Sequence, residues 1–249
     1  MNSAKPPLRI AHAYGNNRNA LRQALAASID MIEADIWFRA GKVWVHHERR
    51  LGPLPLLMDR QMRGHPAPPL ALPIWPRPRY YVRPDFNPLG LGGLLDTVGG
   101  KRGLLLDAKG NYEEAENNAF AAAVTRQVSE HDATDWVVVC GQNWKILETL
   151  REQAPRLEVR YSLEKPWQWD KFLRMIHGMD GGPRICMEHR LIDEEKARFL
   201  EESGIDVYCW TVDDPAKAKW LVAAGVDGII SNNLSLLASL GGSWTTAGG

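Results

Sequence analysis

The chain has 249 residues, with 30 basic and 30 acidic side chains, 45% hydrophobic and 24% charged residues. That length suits one large domain or two small ones, and the balanced charge argues against an electrostatic nucleic-acid binder. No apolar run approaches the roughly 18–20 residues that cross a bilayer, so a transmembrane protein is not expected.

In chain order, Leu8–His12 (LRIAH) reads as a short apolar strand. Asn19–Ser28 has helical spacing, with Leu21, Ala24 and Leu25 on one side and Arg22 and Gln23 on the other. Met31–Ile36 is strand two. A short link then leads to an extended run, Val43–His47, too close for a parallel crossover and therefore expected to return as an antiparallel hairpin. Glu48–Pro88 is rich in Pro and Arg with scattered aromatics (Trp75, Tyr80, Tyr81, Phe86) and is read as a loop-rich insertion. Leu89–Val98 is a short helix and Gly103–Asp107 (GLLLD) strand three.

From there strands and helices alternate. The helices are Tyr112–Glu130, Asn143–Gln153, Trp167–His177, Asp193–Ser203, Asp214–Ala224 and Asn233–Leu240. The strands are Trp136–Cys140, Leu157–Ser162, Arg184–Glu188, Asp206–Thr211 and Val226–Ser231. Eight apolar strands interleaved with helices over residues 1–240 predict a single (β/α)8 TIM barrel, with a disordered tail over 241–249. No G-x-G-x-x-G follows a strand, which argues against a dinucleotide site. The N-terminus reaches its first strand without an apolar signal region. Cys140, Cys186 and Cys209 lie in apolar strands without a C-x-x-C, as reduced core thiols do. A cytosolic location is the expectation.

Barrel chemistry sits at the C-terminal ends of the strands, and there the out-of-place polar residues gather. Glu33 and Asp35 are two apart in an apolar strand, so both carboxylates face one way and repel unless a cation lies between them. Asp107 offers a third carboxylate from strand three, and the three together suit one divalent cation, Mg²⁺ or Ca²⁺. Any one of these acids alone is equally well read as paired with a Lys or Arg at the rim. Two histidines, His12 at the end of strand one and His47 beyond the hairpin, suit acid–base work. Alternation leaves open which of His46 and His47 turns inward. Lys109 either contacts a phosphoryl oxygen or balances Asp107, and Trp210 fills the mouth or walls a pocket.

These residues resemble the glycerophosphodiester phosphodiesterase family, whose phospholipase-like barrel superfamily includes sphingomyelinase D. The likeness rests on His12-Ala13-Tyr14-Gly15, Arg18-Asn19-Ala20, Glu33-Ala34-Asp35 and His47-Glu48 after Gly41-Lys42-Val43. It continues in Asp107-Ala108-Lys109, Trp210-Thr211-Val212-Asp213 and Gly225-Val226-Asp227-Gly228-Ile229-Ile230-Ser231-Asn232. E-x-D alone is a weak signal, whereas the ordered set, from Leu8 to about Leu237, is specific. The resemblance implies Glu33, Asp35 and Asp107 as metal ligands, His12 and His47 as the catalytic pair, and Lys109 as a phosphate contact. Two family residues are replaced: the arginine of HRG by Ala13 and the acid of ENT by Arg18. Losing a bidentate phosphate clamp is not neutral, and Arg18 is a candidate to return positive charge from another direction.

The implied reaction is metal-dependent hydrolysis of a phosphodiester, such as a glycerophosphodiester, to a phosphomonoester and an alcohol. Two alternatives stand beside it. One is phospholipase D-type cleavage of lysophospholipid or sphingomyelin by the same site, with Trp75, Tyr80 and Tyr81 as a lipid-facing lip. The other is a non-catalytic barrel that binds a phosphoryl ligand. A metal-dependent aldolase or isomerase is a weaker option still, since no strand-six lysine is present and fold does not fix chemistry.

Overall fold

The computed structural model describes residues 6–47, 50, 51, 54, 56–66, 70–85, 87–176 and 183–241. Glu48, Phe86, His177 and the tail from 242 onward lie outside the described residues. From the N-terminus, β1 (Leu8–Ala11) leads through a 3-10 turn (Tyr14–Asn16) to α1 (Arg18–Ala26), β2 (Met31–Arg39) and β3 (Lys42–Val45). The Pro- and Arg-rich stretch supplies β4 (Leu56–Arg60), β5 (Leu72–Ile74), β6 (Arg77–Pro84) and β7 (Leu89–Gly90), followed by α2 (Leu91–Val98). Next come β8 (Gly103–Ala108), α3 (Glu114–Glu130), β9 (Val137–Gly141), α4 (Trp144–Gln153), β10 (Glu158–Leu163) and α5 (Pro166–Ile176). The chain ends with β11 (Arg184–Glu188), α6 (Glu194–Glu202), β12 (Asp206–Trp210), α7 (Pro215–Ala223), β13 (Gly228–Ser231) and α8 (Leu234–Ser239).

Eight parallel staves, β1, β2 and β8 to β13, close into a (β/α)8 barrel because β1 pairs with both β2 and β13. The staves read as near-continuous apolar runs because both faces are covered. In β8, Leu104, Leu105 and Leu106 are all fully buried. One cluster, containing Ile10, Met31, Leu105, Val138, Cys140, Cys186, Tyr208 and Ile230, fills the inside of the barrel. A larger one lies between staves and helices, where α1 contributes Ala20, Leu21 and Ala24. The three cysteines are buried and unpaired. Among the described residues no helix is long and apolar enough to cross a membrane.

A buried cation holds the inside of the barrel toward the start of the strands. Arg160 is 1% exposed, bonds Glu158 and Asp206 at 2.7 Å each, and places its guanidinium 3.4 Å from the Tyr208 ring centroid.

Two expectations change. Strand two runs on to Arg39, and the link to β3 is a two-residue turn, Ala40-Gly41, with positive φ at both positions. That turn twists with the strands and pairs Ile36 with Val45 and Trp37 with Trp44. The insertion read as loop-rich instead contains a three-stranded antiparallel sheet in the order β4-β6-β5. Its exit strand, β7, occupies the first two residues of the expected helix and pairs back onto β3.

Candidate active site

β2 and β8 are in parallel register, with Asp35 opposite Asp107 and Glu33 opposite Leu105. Alternation turns Glu33 and Asp35 to the same side, and one oxygen each from Glu33, Asp35 and Asp107 lie within 4.8 Å of one another. Glu33 and Asp35 are 3% and 1% exposed.

The turn after β1 fixes this cluster. The Ala13 N–H donates to the Glu33 carboxylate, and Ala13 holds a left-handed φ of 59° to do so. Gly15 allows the turn to lie against β2, since a Cβ there would meet the Ala34 Cβ at 2.5 Å. Asn16 bonds Asp35 twice, donating to Oδ2 at 2.6 Å and accepting from the Asp35 N–H at 2.8 Å.

Lys109 sits against two of the acids, 2.8 Å from Asp35 and in contact with Asp107. Burial works against its charge, but Asp107 and Asp35 outweigh burial and hold the ammonium on, its pKa well raised. Burial, and then Asp35 and Asp107, push the Glu33 carboxyl well above its usual range. Burial also raises Asp107, whereas Asp35 is lowered because Lys109 and His47 overcome the burial penalty. Ionised together, the three carboxylates exceed the single Lys109 ammonium by two negative charges, the charge that one divalent ion would balance in place of the protons that Glu33 and Asp107 otherwise favour. Asp107 Oδ1 is shielded from solvent and has no hydrogen-bond partner among the described residues. An all-oxygen set with a spare buried acceptor fits a hard cation.

The two sequence-predicted histidines flank the cluster. His12 Nδ1 lies 3.0 Å from Asn232 Oδ1, and Asn232 donates its amide to Asp213 Oδ2 at 2.9 Å. Because that amide nitrogen is committed to Asp213, Asn232 presents oxygen to His12, so Nδ1 carries the proton and Nε2 is left bare. Burial lowers the His12 pKa, which keeps the ring neutral near pH 7. His47 Nδ1 faces Asp59 Oδ1 at 3.7 Å, and His47 also acts electrostatically on Asp35, Asp107 and His12. His46 turns the other way and stacks on Trp37, with centroids 5.7 Å apart.

A pocket of about 60 Å³ opens at the barrel mouth, lined by His12, Glu33, Asp107, Lys109, Cys140 and Trp210, among others. Arg18 does not line it; it opens α1 and is exposed. The insertion borders the site from the other side. Tyr14 donates its hydroxyl toward the Asn232 carbonyl at 3.1 Å, and the His65 ring lies 4.0 Å from the Tyr14 ring. Burial and the neighbouring His12 push His65 down to about 4.

Residues 96–236 match the glycerophosphoryl diester phosphodiesterase family. The chain belongs to that family. A glycerophosphodiester phosphodiesterase of Arabidopsis thaliana is 36% identical over 62 residues, a match spanning 25% of this chain and only 19% of the relative. A glycerophosphoryl diester phosphodiesterase structure from Silicibacter pomeroyi superposes with a TM-score of 0.73 at 21% identity, covering 96% of both chains. A phosphodiesterase of Oleispira antarctica, solved with its product sn-glycerol-3-phosphate, superposes with a TM-score of 0.68 at 16% identity, covering 94% of this chain and 96% of that one. At these identities the superpositions establish the fold. In this glycerophosphoryl diester phosphodiesterase family member, the matched residues contain Asp107, Lys109 and Trp210. His12, Glu33, Asp35 and His47 precede them, in the same region as the replaced residues Ala13 and Arg18.

Asn16, Asp59, His65 and the Asn232–Asp213 pair were not singled out by the sequence. Asn232 and Asp213 lie in quoted motifs, but their link to His12 spans 220 residues. Asp59 and His65 sit in the stretch expected to be loop, where no periodicity marked them.

Proposed function

We propose that the protein is a metal-dependent phosphodiesterase that hydrolyses a glycerophosphodiester to a phosphomonoester and an alcohol. The observation that carries the reading is the meeting of three carboxylates, Lys109 and two histidines at one barrel mouth. Glu33, Asp35 and Asp107 would hold one divalent cation, Mg²⁺ or Ca²⁺. When bound, it supplies Lewis-acid stabilisation of a non-bridging phosphoryl oxygen. Lys109 places a second positive charge beside the same phosphoryl group. His12, with Nε2 bare, takes the proton from the nucleophile: either water, which gives the monoester directly, or a neighbouring substrate hydroxyl, which closes a cyclic phosphate that water then opens to the monoester. His47, with Nδ1 facing Asp59 at 3.7 Å, gives a proton to the leaving alkoxide. Trp210 walls the pocket, and Arg18 acts from the rim by drawing in an anionic substrate. A cytosolic location accompanies this reading, in line with the three free buried thiols.

Cleavage of a lysophospholipid is the second reading, favoured by the exposed apolar residues Leu70, Leu72 and Trp75 on the insertion. Product analysis with glycerophosphocholine and lysophosphatidylcholine, after chelation and with Mg²⁺ or Ca²⁺ restored, separates the two. Chelator-sensitive release from glycerophosphocholine is expected. Release from neither substrate under any metal condition would leave a phosphoryl-binding barrel. Asp107→Ala should lower turnover by at least about a hundredfold while the fold persists; undiminished turnover would refute the metal assignment.

A further inference from the structure

We propose that the outer face of the β4-β6-β5 sheet, with the β5–β6 tip, docks on an anionic lipid bilayer. The strand register divides this sheet into two faces. Asp59, Tyr81 and Pro73 are paired across the three strands, and Asp59 and Tyr81 are buried on the side that meets His47. Met58, Val82 and Leu72 form the adjacent cross-strand row and therefore point the opposite way. Leu56 and Tyr80 share that opposite face. Leu72 is exposed and the other four are partly buried. A solvated sheet face ordinarily alternates to polar residues; this one sets Arg60, opposite Tyr80, among apolar and aromatic side chains.

Exposed apolar residues run along the same segment, Leu70 before β5, Leu72 within it and Trp75 at the turn into β6. Leu70 is 74% exposed, Leu72 70% and Trp75 89%. With Leu51 and Leu54, the insertion holds five of the six most exposed large apolar residues among the described ones. Exposed large apolar side chains gathered on one segment mark a candidate interaction surface.

Charge decides what it contacts. Residues 48–88 carry seven arginines, no lysine and three acids, an excess of positive charge that the rest of the chain offsets with 23 basic against 27 acidic residues. Arg83 and Arg50 pair with Asp59 and Asp85, whereas Arg60, Arg63, Arg77 and Arg79 are exposed; Arg60 shares the face of Leu56 and Met58, and Arg77 and Arg79 follow the tip at the start of β6. Apolar and aromatic side chains rimmed by arginine match a membrane surface, where the apolar groups enter the acyl boundary and the arginines meet phosphate headgroups. A protein partner would need a similarly dense acidic rim, and a second copy of this chain would set arginine against arginine. The inference concerns binding and stands apart from the phosphodiesterase reading.

Co-sedimentation of the full chain with phosphatidylcholine vesicles, with and without phosphatidylglycerol, tests it. Binding to the anionic vesicles only, weakened by salt, is expected. Leu70→Ser/Leu72→Ser/Trp75→Ser should abolish it, and Arg77→Glu/Arg79→Glu should lower partitioning by tenfold or more, on the order of fivefold for each charge removed. Both variants alter exposed side chains, and each should keep the parental melting temperature. Failure of the parent to bind anionic vesicles would overturn the proposal, as would equal binding by the arginine variant. Light scattering that shows a dimer in the parent and a monomer in the serine variant would instead assign the face to self-association.

Discussion

Asn16 clasps Asp35 from two directions, through its amide hydrogens to the carboxylate and its carbonyl oxygen to the backbone N–H. The first bond holds the carboxylate rotamer and the second holds the strand beneath it. Asn16→Ala should therefore weaken metal affinity by about 10–100-fold, the usual cost of losing a ligand's supporting partner. Calorimetric titration with Mg²⁺ and Ca²⁺ measures this directly, and parental affinity in the variant would show that Asp35 needs no such support.

The contact between His12 and Asn232 makes a claim about tautomer. Asn232→Ala removes the acceptor for the Nδ1 proton and should lower kcat by roughly 10–100-fold by analogy with other supporting shells. It also removes a bond that raises the His12 pKa. The imidazole then loses its proton at lower pH, so the acidic limb of the kcat/KM profile should move to lower pH. A limb that stays in place would detach His12 from the base role.

His65 gives a pH-dependent stability with a definite sign. Above pH 6.5 neither folded nor unfolded chains hold the proton. Below it the unfolded imidazole takes the proton up, whereas the folded one does not until about pH 4. Stability is full above pH 6.5 and falls between 6.5 and 4, by at most about 3 kcal/mol from this residue. His65→Gln should flatten that part of the curve in urea titrations at stepped pH. Equal slopes for parent and variant would refute a neutral buried His65.

Arg160 binds two acids from inside the barrel. Those acids keep some contact with water, their side chains being 25% and 37% exposed. Arg160→Met should thus cost about 2–3 kcal/mol, at or below the lower end of the range for breaking a fully buried pair. The urea midpoint reads this, and turnover per folded molecule should be unchanged.

The staves were legible because burial on both faces writes them as unbroken apolar runs, GLLL before Asp107 and WVVVC ending at Cys140. The acids stood out against that background. The insertion strands were not legible, because Pro73, Pro76, Pro78 and Pro84 interrupt them and arginines alternate with their aromatics. Nor were Asn16 and Asp59, whose importance arises only when the turn after β1 folds against β2 and β4 brings Asp59 to His47. A lone polar residue in a turn or in a short proline-flanked strand carries no periodicity to betray such a role.

The pairing of β3 with β7, Trp44 opposite Gly90 and Val45 opposite Leu89, ties together the doorway through which the chain leaves and re-enters the barrel. Apart from His47 and its partner Asp59, which belong to the site, the segment between those two rungs is a cassette on a fixed base. Because closure entropy grows only with the logarithm of loop length, cassettes of other sizes can be exchanged there without altering how the eight staves meet. Swapping that segment between relatives should change which surface or headgroup the enzyme visits while its carboxylates stay in register.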